Sequence, residues 1–585
     1  MVDNKRRNKN RGVFVDSMVY NRNEELVDEW LEFATNWDNQ TKLVEFVRRY
    51  RPGFALPKKI YSAIRGSYNV NWRLEFDDGF STMIHVPIPH AVAFPDEKIR
   101  AEVAAMRLIR NKTTIPVPEV YGWGTTAENP TGYGPFIIME YIEHTQSLEH
   151  VIMNQMDSLG SSGSKKGVEN RTLLKAYRQM ANIMLQLFTI EGTAVGYPSL
   201  SKSLGHEQPP PSSSSSYSSN MPVPSYSTQH SESRISRVHH RPISQSTNDL
   251  VIMGGLPPSV LPPSNKTYST SHEYYQAMAD MHLTHLSFQY NSAVLSPPDG
   301  REAYVARQLF RKLAREGKLA QNEEDGDGMA EGKQKEVFRL WCDDLRPSSV
   351  LLDDNDDVVA VIDWEMSYFA PASFHYNPPW WLLIDKPEYW KTGLSSWVTE
   401  YEKFLPLFLE AMNVEETELK RAREKMKNGS DALHTSLQLL AIDEAGKDQH
   451  LSSPMSERMK RNWENGRFFL DYSARRGYGF DPIYWKYVDK KFFGKTKKTG
   501  FLLKNSGYKE RLHLLSDEER AQMEPFVAWK MESRDDEKVV EWEEKDARAI
   551  QAACLAGTLG DIEIPKPRVI PWTMTDRTPP PSSPI

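Results

Sequence analysis

A chain of 585 residues with 39% hydrophobic residues and 15 tryptophans can fill two to four ordinary domains, or one large domain with insertions. Its net charge of -7 excludes a nucleic-acid surface as its main business, because phosphate backbones select basic domains. Two cysteines, Cys342 and Cys554, exclude a disulfide framework, and no run approaches the roughly 18 apolar residues of a membrane span.

The expectation is a soluble, cytoplasmic protein in a reducing compartment, with no signal peptide, no membrane contact and no nucleic-acid partner. Residues 1–54 read as a partly helical N-terminal extension, and the basic run Lys5, Arg6, Arg7, Lys9 and Arg11 reads as a solvated terminus. Trp72–Phe76 and Thr82–Val86 are apolar runs around Asp77-Asp78-Gly79, a hairpin turn signal. Pro95-Asp96-Glu97 then opens a helical pattern through Val103, Met106 and Ile109. Phe136–Tyr141 reads as a buried strand, which places a first lobe at 55–142.

From Leu173 the positions Tyr177, Ala181, Met184 and Phe188 recur at helical spacing, and Thr270 with Glu273 reads as a capping box. Between them, 199–247 is rich in Pro and Ser, lacks apolar groups to offset its ordering entropy, and reads as disordered. Glu323–Gly328 reads as a surface loop. Val350–Leu352 and Val358–Ile362 flank Asp353–Asp357 as a second hairpin, and Trp397–Met412 and Ser456–Tyr472 read as helices. A helical lobe at 143–531 follows, then a C-terminal helix and polar tail at 532–585. The class is α+β, with a small antiparallel-sheet lobe and a large helical lobe.

The chemistry concentrates in Trp341-Cys342-Asp343-Asp344-Leu345-Arg346-Pro347-Ser348-Ser349, followed by Val361-Ile362-Asp363-Trp364-Glu365. The intervening hairpin returns Asp344 and Asp363 to one end. Phosphoryl transfer needs such a pair: one carboxylate orients the attacking hydroxyl and accepts its proton, the other holds the magnesium that bridges the phosphates.

This stretch resembles the catalytic loop and metal motif of the aminoglycoside phosphotransferase and choline-kinase-like family, especially its large fungal branch. The family pattern is His-x-Asp-Leu-x-Pro-x-Asn, then Ile-Asp-Trp-Glu, matched here at Asp344, Leu345, Pro347, Ile362, Asp363, Trp364 and Glu365. Thr113–Pro118, Phe136–Tyr141 and Pro378–Leu383 are similar to the same branch. The resemblance implies a protein-kinase-like two-lobed fold that uses ATP and magnesium to phosphorylate a small-molecule hydroxyl. It makes Asp344 the catalytic base and Asp363 a magnesium ligand, with Ser349 at the position of a second. It places Gly66 and Ser67 in the nucleotide-covering loop, and makes Glu140, Tyr141 and Ile142 the interlobe linker whose backbone binds adenine. Glu102 would pair with a basic residue on the preceding strand, where the position is held by His85.

Three positions depart from the pattern: His85 replaces Lys or Arg, Cys342 replaces the loop His, and Ser349 replaces Asn. They motivate a second reading, a catalytically impaired nucleotide-binding or scaffold protein. A third makes the Ser/Pro-rich insertion a phosphorylated interaction segment with protein partners, with Arg241-Pro242-Ile243-Ser244 as one candidate site. Residue by residue, bland alternatives stand beside these roles. His85 on an apolar strand reads equally as a structural histidine, Glu102 as a solvated helix charge, and Asp344 and Asp363 as loop aspartates. His282 and His285 with Asp280 lack a third spaced metal ligand and read as structural, and Trp380-Trp381 reads as core.

Overall fold

The computed structural model describes residues 15–50, 55–161, 166–198, 238–291, 293–321, 336–427, 453–495, 507–534 and 536–572. The basic run at 5–11, the stretch 199–237, the acidic-glycine run 323–328 and the tail at 578–585 lie outside them.

The first lobe opens with two helices, α1 (Ser17–Thr35) and α2 (Trp37–Val47). Six strands follow: β1 (Lys59–Ile60), β2 (Ile64–Arg65), β3 (Asn69–Glu75), β4 (Ser81–Pro87), β5 (Val120–Gly124) and β6 (Phe136–Glu140), in one antiparallel sheet of order β1-β3-β4-β6-β5 with β2 on β3. The expected hairpin is β3–β4, and Gly79 sits in its turn at φ 81°, a left-handed conformation that costs a glycine little. Helix α3 (Pro95–Lys112) lies between β4 and β5. Proline at its first position, acids in its first turn and Arg110 and Lys112 in its last suit its dipole.

The second lobe is mainly helical. Two-residue β7 (Gln146–Ser147) leads into α4 (Leu148–Ser161) and α5 (Lys166–Phe188), then β8 (Glu191–Gly192) and β9 (Tyr197–Pro198). After β10 (Val238–His240) come α6 (Gln245–Ile252), α7 (Ser271–Phe288) and α8 (Pro297–Arg315). Thr270 accepts from Glu273 N at 3.1 Å as expected of a cap, while the Glu273 carboxylate accepts from Ser269 N. Strand β11 (Phe338–Cys342) pairs with β14 (Ser367–Pro371), and between them β12 (Val350–Leu352) and β13 (Val358–Val361) form the second expected hairpin. The Asp353 carboxylate accepts from the amides of Asn355 and Asp357 and closes that turn. Helix α9 (Leu394–Lys427) contains the expected segment, whereas Ser456–Tyr472 is divided at Gly466, φ 78°, into α10 (Met455–Glu464) and α11 (Arg467–Arg475). A small antiparallel-sheet lobe and a mainly helical lobe make the α+β architecture expected.

Val27, Leu43 and Phe46 of α1 and α2 share one buried core with Trp72, Ile84 and Ile138 of the sheet. At the other end Met523 of α12 (Asp517–Glu532) and Ile550 of α13 (Glu544–Ala556) join the large core of the second lobe. One expectation needs correction: 238–247 is ordered, so the disordered stretch expected at 199–247 fails over its last ten residues. Arg241 and Ser244, the expected phosphorylation site, are buried; Ser244 caps α6 and Arg241 makes a bidentate pair with Glu97.

Candidate active site

The hairpin register sets the site. Cys342 pairs with Ser367 and Val350 with Val361, so the loop 343–349 and the loop 362–366 leave their strands side by side. Two backbone bonds tie the loops, Ile362 N to Ser349 O at 2.9 Å and Asp343 N to Met366 O at 3.2 Å. Asp363 and Met366 hold φ near 58–59°, which is costly for residues with a β-carbon and concentrates at functional sites.

Asp344 is buried to 6% exposure, with the Arg346 guanidinium 3.7 Å from its Oδ2. Ser349 is fully buried, and its hydroxyl faces Asp363 Oδ2 at 3.5 Å. Burial pushes the Asp363 carboxyl up to about 7, and the neighbouring charges of Glu365, Glu102 and Asp344 add to that rise against an opposing pull from His85. The structure therefore brings Asp344, Asp363 and Ser349 to one locus.

The Cys342 thiol fills the space of the expected loop histidine and donates to Glu365 O at 3.3 Å. Burial pushes this thiol far up, so it is a structural, not a reactive, cysteine.

His85 lies on β4 with both ring nitrogens facing oxygens: Nδ1 is 2.8 Å from Asn71 Oδ1 and Nε2 is 3.4 Å from Glu102 Oε2. Glu102 is thus paired with the strand as expected, but its nearer partner was not foreseen. Lys98, one turn earlier on α3, places Nζ 3.0 Å from the same Glu102 oxygen, 2.7 Å from Glu365 Oε2 and 2.8 Å from Asn69 Oδ1. Burial pushes Glu102 up, yet Lys98 and His85 outweigh it and hold the carboxyl below its usual range. Burial equally works against the Lys98 charge, and Glu102 and Glu365 reverse this, so the ammonium persists. The i,i+4 spacing of Lys98 and Glu102 was the signal available in the sequence.

Gly66 and Ser67 form the exposed tip of the β2–β3 hairpin, where Gly66 N donates to Asn69 O at 2.8 Å. Glu140, Tyr141 and Ile142 run from the end of β6 toward β7, with Arg73 stacked 3.9 Å over the Tyr141 ring. Thr145 N donates to Leu352 O and joins this linker to the β12–β13 hairpin.

A second group missed in the sequence belongs to α6. Gln245 N donates to Asp343 Oδ2 at 3.2 Å, and the Gln245 amide donates to the Tyr68 hydroxyl at 2.9 Å. Tyr68 in turn donates to Asp249 Oδ1, and Asn248 binds the backbone of Ala91 and Ala93. Arg476 donates to Gln245 and to Asp343 O. Thus α6 is wedged between the lobes beside Asp344. Nothing in its polar sequence announced this, since the contacts are separated by hundreds of residues.

The His282 ring is engaged structurally, bonding Ala474 O at 3.0 Å. Trp381 is core, while Trp380 is partly exposed beneath Lys386. No described helix is long and apolar enough to cross a membrane.

No family model matches the chain. It is 22% identical over 343 residues to "Altered inheritance of mitochondria protein 9, mitochondrial" of Yarrowia lipolytica, an alignment covering 57% of this chain and 52% of that protein. A 79-residue stretch, 13% of the chain, is 37% identical to 15% of a subtelomeric hrmA-associated cluster protein of Aspergillus fumigatus. The chain thus spans at most about half the length of these curated relatives. Among solved structures, a Thermobifida fusca protein described as a fructosamine-3-kinase aligns over 69% of this chain and 94% of its own at 12% identity, with a TM-score of 0.25. A macrolide 2'-phosphotransferase type I aligns over 75% and 97% at 11% identity, with a TM-score of 0.23.

Proposed function

We propose that the chain is an ATP-dependent phosphotransferase of the aminoglycoside phosphotransferase and choline-kinase-like type, transferring the γ-phosphoryl group to a small-molecule hydroxyl. One observation carries this reading: paired strands deliver the 343–349 and 362–366 loops side by side, with the Ser349 hydroxyl 3.5 Å from Asp363 Oδ2 and Asp344 near enough to act on the Asp363 charge. Burial first, then Glu365, Glu102 and Asp344 against His85, raises the Asp363 carboxyl to about 7, and a divalent cation offsets that rise. The donors at this spot, the Asp363 carboxylate and the Ser349 hydroxyl, are hard oxygens and few, which suits magnesium, an ion usually held by one or two carboxylates plus substrate phosphates. When bound, magnesium neutralises charge developing on the phosphates.

The chain's own groups do the rest. Asp344 accepts the proton of the acceptor hydroxyl, with the Arg346 guanidinium 3.7 Å from its Oδ2. The linker 140–142 receives adenine through its backbone, and the 66–67 tip covers the phosphates. The acceptor lies on the helical-lobe side of Asp344. The cytoplasm is the proposed compartment, on cysteine usage and charge; the Yarrowia relative carries "mitochondrial" in its name. Fractionation of a tagged chain separates the two locations.

The test is magnesium-dependent ATP turnover over a panel of amino alcohols, sugars and aminoglycosides, for the native chain and Asp344→Ala. Turnover with at least one acceptor, reduced about 10²- to 10⁴-fold in the variant, is expected. Equal background in both refutes the enzymatic reading, and tight nucleotide binding without transfer identifies a scaffold instead.

A further inference from the structure

We infer that Lys98 of α3 is the cation that holds the nucleotide phosphates, doing from the helix what the position of His85 on β4 does not do, and that Glu365 occupies the phosphate's place until nucleotide arrives. This inference rests on the phosphotransferase reading and assigns a phosphate-binding residue within it.

The case is geometric. In the sheet lobe the other arginines near the cleft are committed elsewhere: Arg73 pairs with Glu143 over Tyr141, and Arg65 reaches 3.7 Å from Asp28. Lys98 alone among these cations is 0% exposed in its side chain and lies inside the cluster around Asp363. An ammonium has three hydrogens, and each finds an acceptor here: Glu102, Glu365 and Asn69. Those acceptors come from three places that a nucleotide must touch or pass. Asn69 begins the strand that follows the 66–67 tip, Glu102 lies on α3, and Glu365 is two residues beyond Asp363.

His85 touches the same Glu102 oxygen from the other side, at 3.4 Å. Glu102 is therefore a node shared by a strand position and a helix position. The imidazole is too short to pass it, while the lysine has the longer reach. With all three hydrogens engaged, a phosphate oxygen reaches Lys98 only by displacing one acceptor. Glu365 also accepts from the Asn69 amide at 2.9 Å, a donor that a phosphate oxygen can use equally. It sits on the loop that carries Asp363, whereas Glu102 belongs to a helix and Asn69 to a strand, so Glu365 is the acceptor exchanged. An anion exchanging for an anion keeps the ammonium paired throughout, which avoids stranding a buried charge.

The experiment compares binding of magnesium-ATP and of phosphate-free adenosine to the native chain, Glu365→Gln, Lys98→Met/Glu365→Gln and His85→Lys/Lys98→Met, with thermal midpoints read alongside. The Lys98→Met/Glu365→Gln pair removes the cation without stranding both carboxylates. Relative to Glu365→Gln alone, it is expected to weaken ATP about ten- to hundredfold, the worth of a charge-assisted contact, while adenosine is unaffected. His85→Lys/Lys98→Met is expected to recover most of the loss. A merely structural lysine would change both ligands together. Unchanged ATP affinity in the folded Lys98→Met/Glu365→Gln chain overturns the inference.

A second measurement needs no variant. ATP carrying an acyl group on its terminal phosphate donates that acyl to a lysine beside the phosphates once the ammonium has given up a proton: the free amine attacks the acyl carbon, the acyl–oxygen bond breaks, and ATP and a second proton leave. Amide formation on Lys98, suppressed by excess ATP, supports the assignment, and label confined to other lysines overturns it. If the native chain binds no magnesium-ATP at all, the phosphotransferase reading itself falls, which is a different result from ATP binding that ignores Lys98.

Discussion

Removing the Asp363 charge is expected to stabilise the metal-free protein while destroying its function. Burial and three neighbouring carboxylates lift this carboxyl from 3.8 to about 7 against the pull of His85, a preference for the neutral form with a ceiling of about 4 kcal/mol. Asp363 keeps an edge open to water, so screening brings the expected effect nearer 1–2 kcal/mol. The folded state binds the proton more tightly than the unfolded one. The contribution is hence fully present below about pH 4, declines as pH rises toward about 7, and is absent above it.

Asp363→Asn mimics the neutral form at every pH. In EDTA its midpoint of thermal unfolding is expected to match the native one near pH 4.5 and to exceed it by about 1–3 °C at pH 8. Added magnesium should then raise the native midpoint at pH 8 by mass action and leave the variant unmoved. A variant that melts at or below the native chain at pH 8 without metal, or a difference independent of pH, would refute the electrostatic account of this site.

Two further outcomes follow from the packing. Arg467 and Asp471 form a buried pair in which Tyr275 and Asn377 also donate to the carboxylate, at 2.6 and 2.7 Å. Arg467→Met should cost about 3–5 kcal/mol in chemical denaturation, because it leaves a buried carboxylate without its counter-charge; a loss below about 1 kcal/mol would mean that Tyr275 and Asn377 suffice. Asn248→Ala should lose about 1–3 kcal/mol by stranding the backbone groups of Ala91 and Ala93. Hydrogen exchange should then quicken in the α6 amides before the β3–β4 hairpin; unaltered protection of α6 would show that Asn248 does not hold it.

Local pattern alone settled a good deal here. Asp77-Asp78-Gly79 between two apolar runs specifies a hairpin wherever it occurs, Pro95 with two acids specifies a helix start, and Asp353 closes its own turn, because each of these choices is made by neighbouring atoms. The pairing of Asp344 with Asp363 belongs to the same class, since a hairpin between two short motifs leaves their ends no other place to go.

Lys98 and α6 escaped the reading for the opposite reason. A lysine on a helix is ordinarily solvated, and only burial against Glu365, far along the chain, makes Lys98 part of the site. The polar run that contains Ser244 and Gln245 looked too poor in apolar groups to order itself. It is ordered because Asp343, Tyr68 and Arg476 satisfy its polar groups from both lobes. Sequence by itself determined the elements and the acidic pair, whose causes are short-range; which charges face one another in the cleft was decided only by tertiary structure, where desolvation makes each ion depend on partners that the chain brings from a distance.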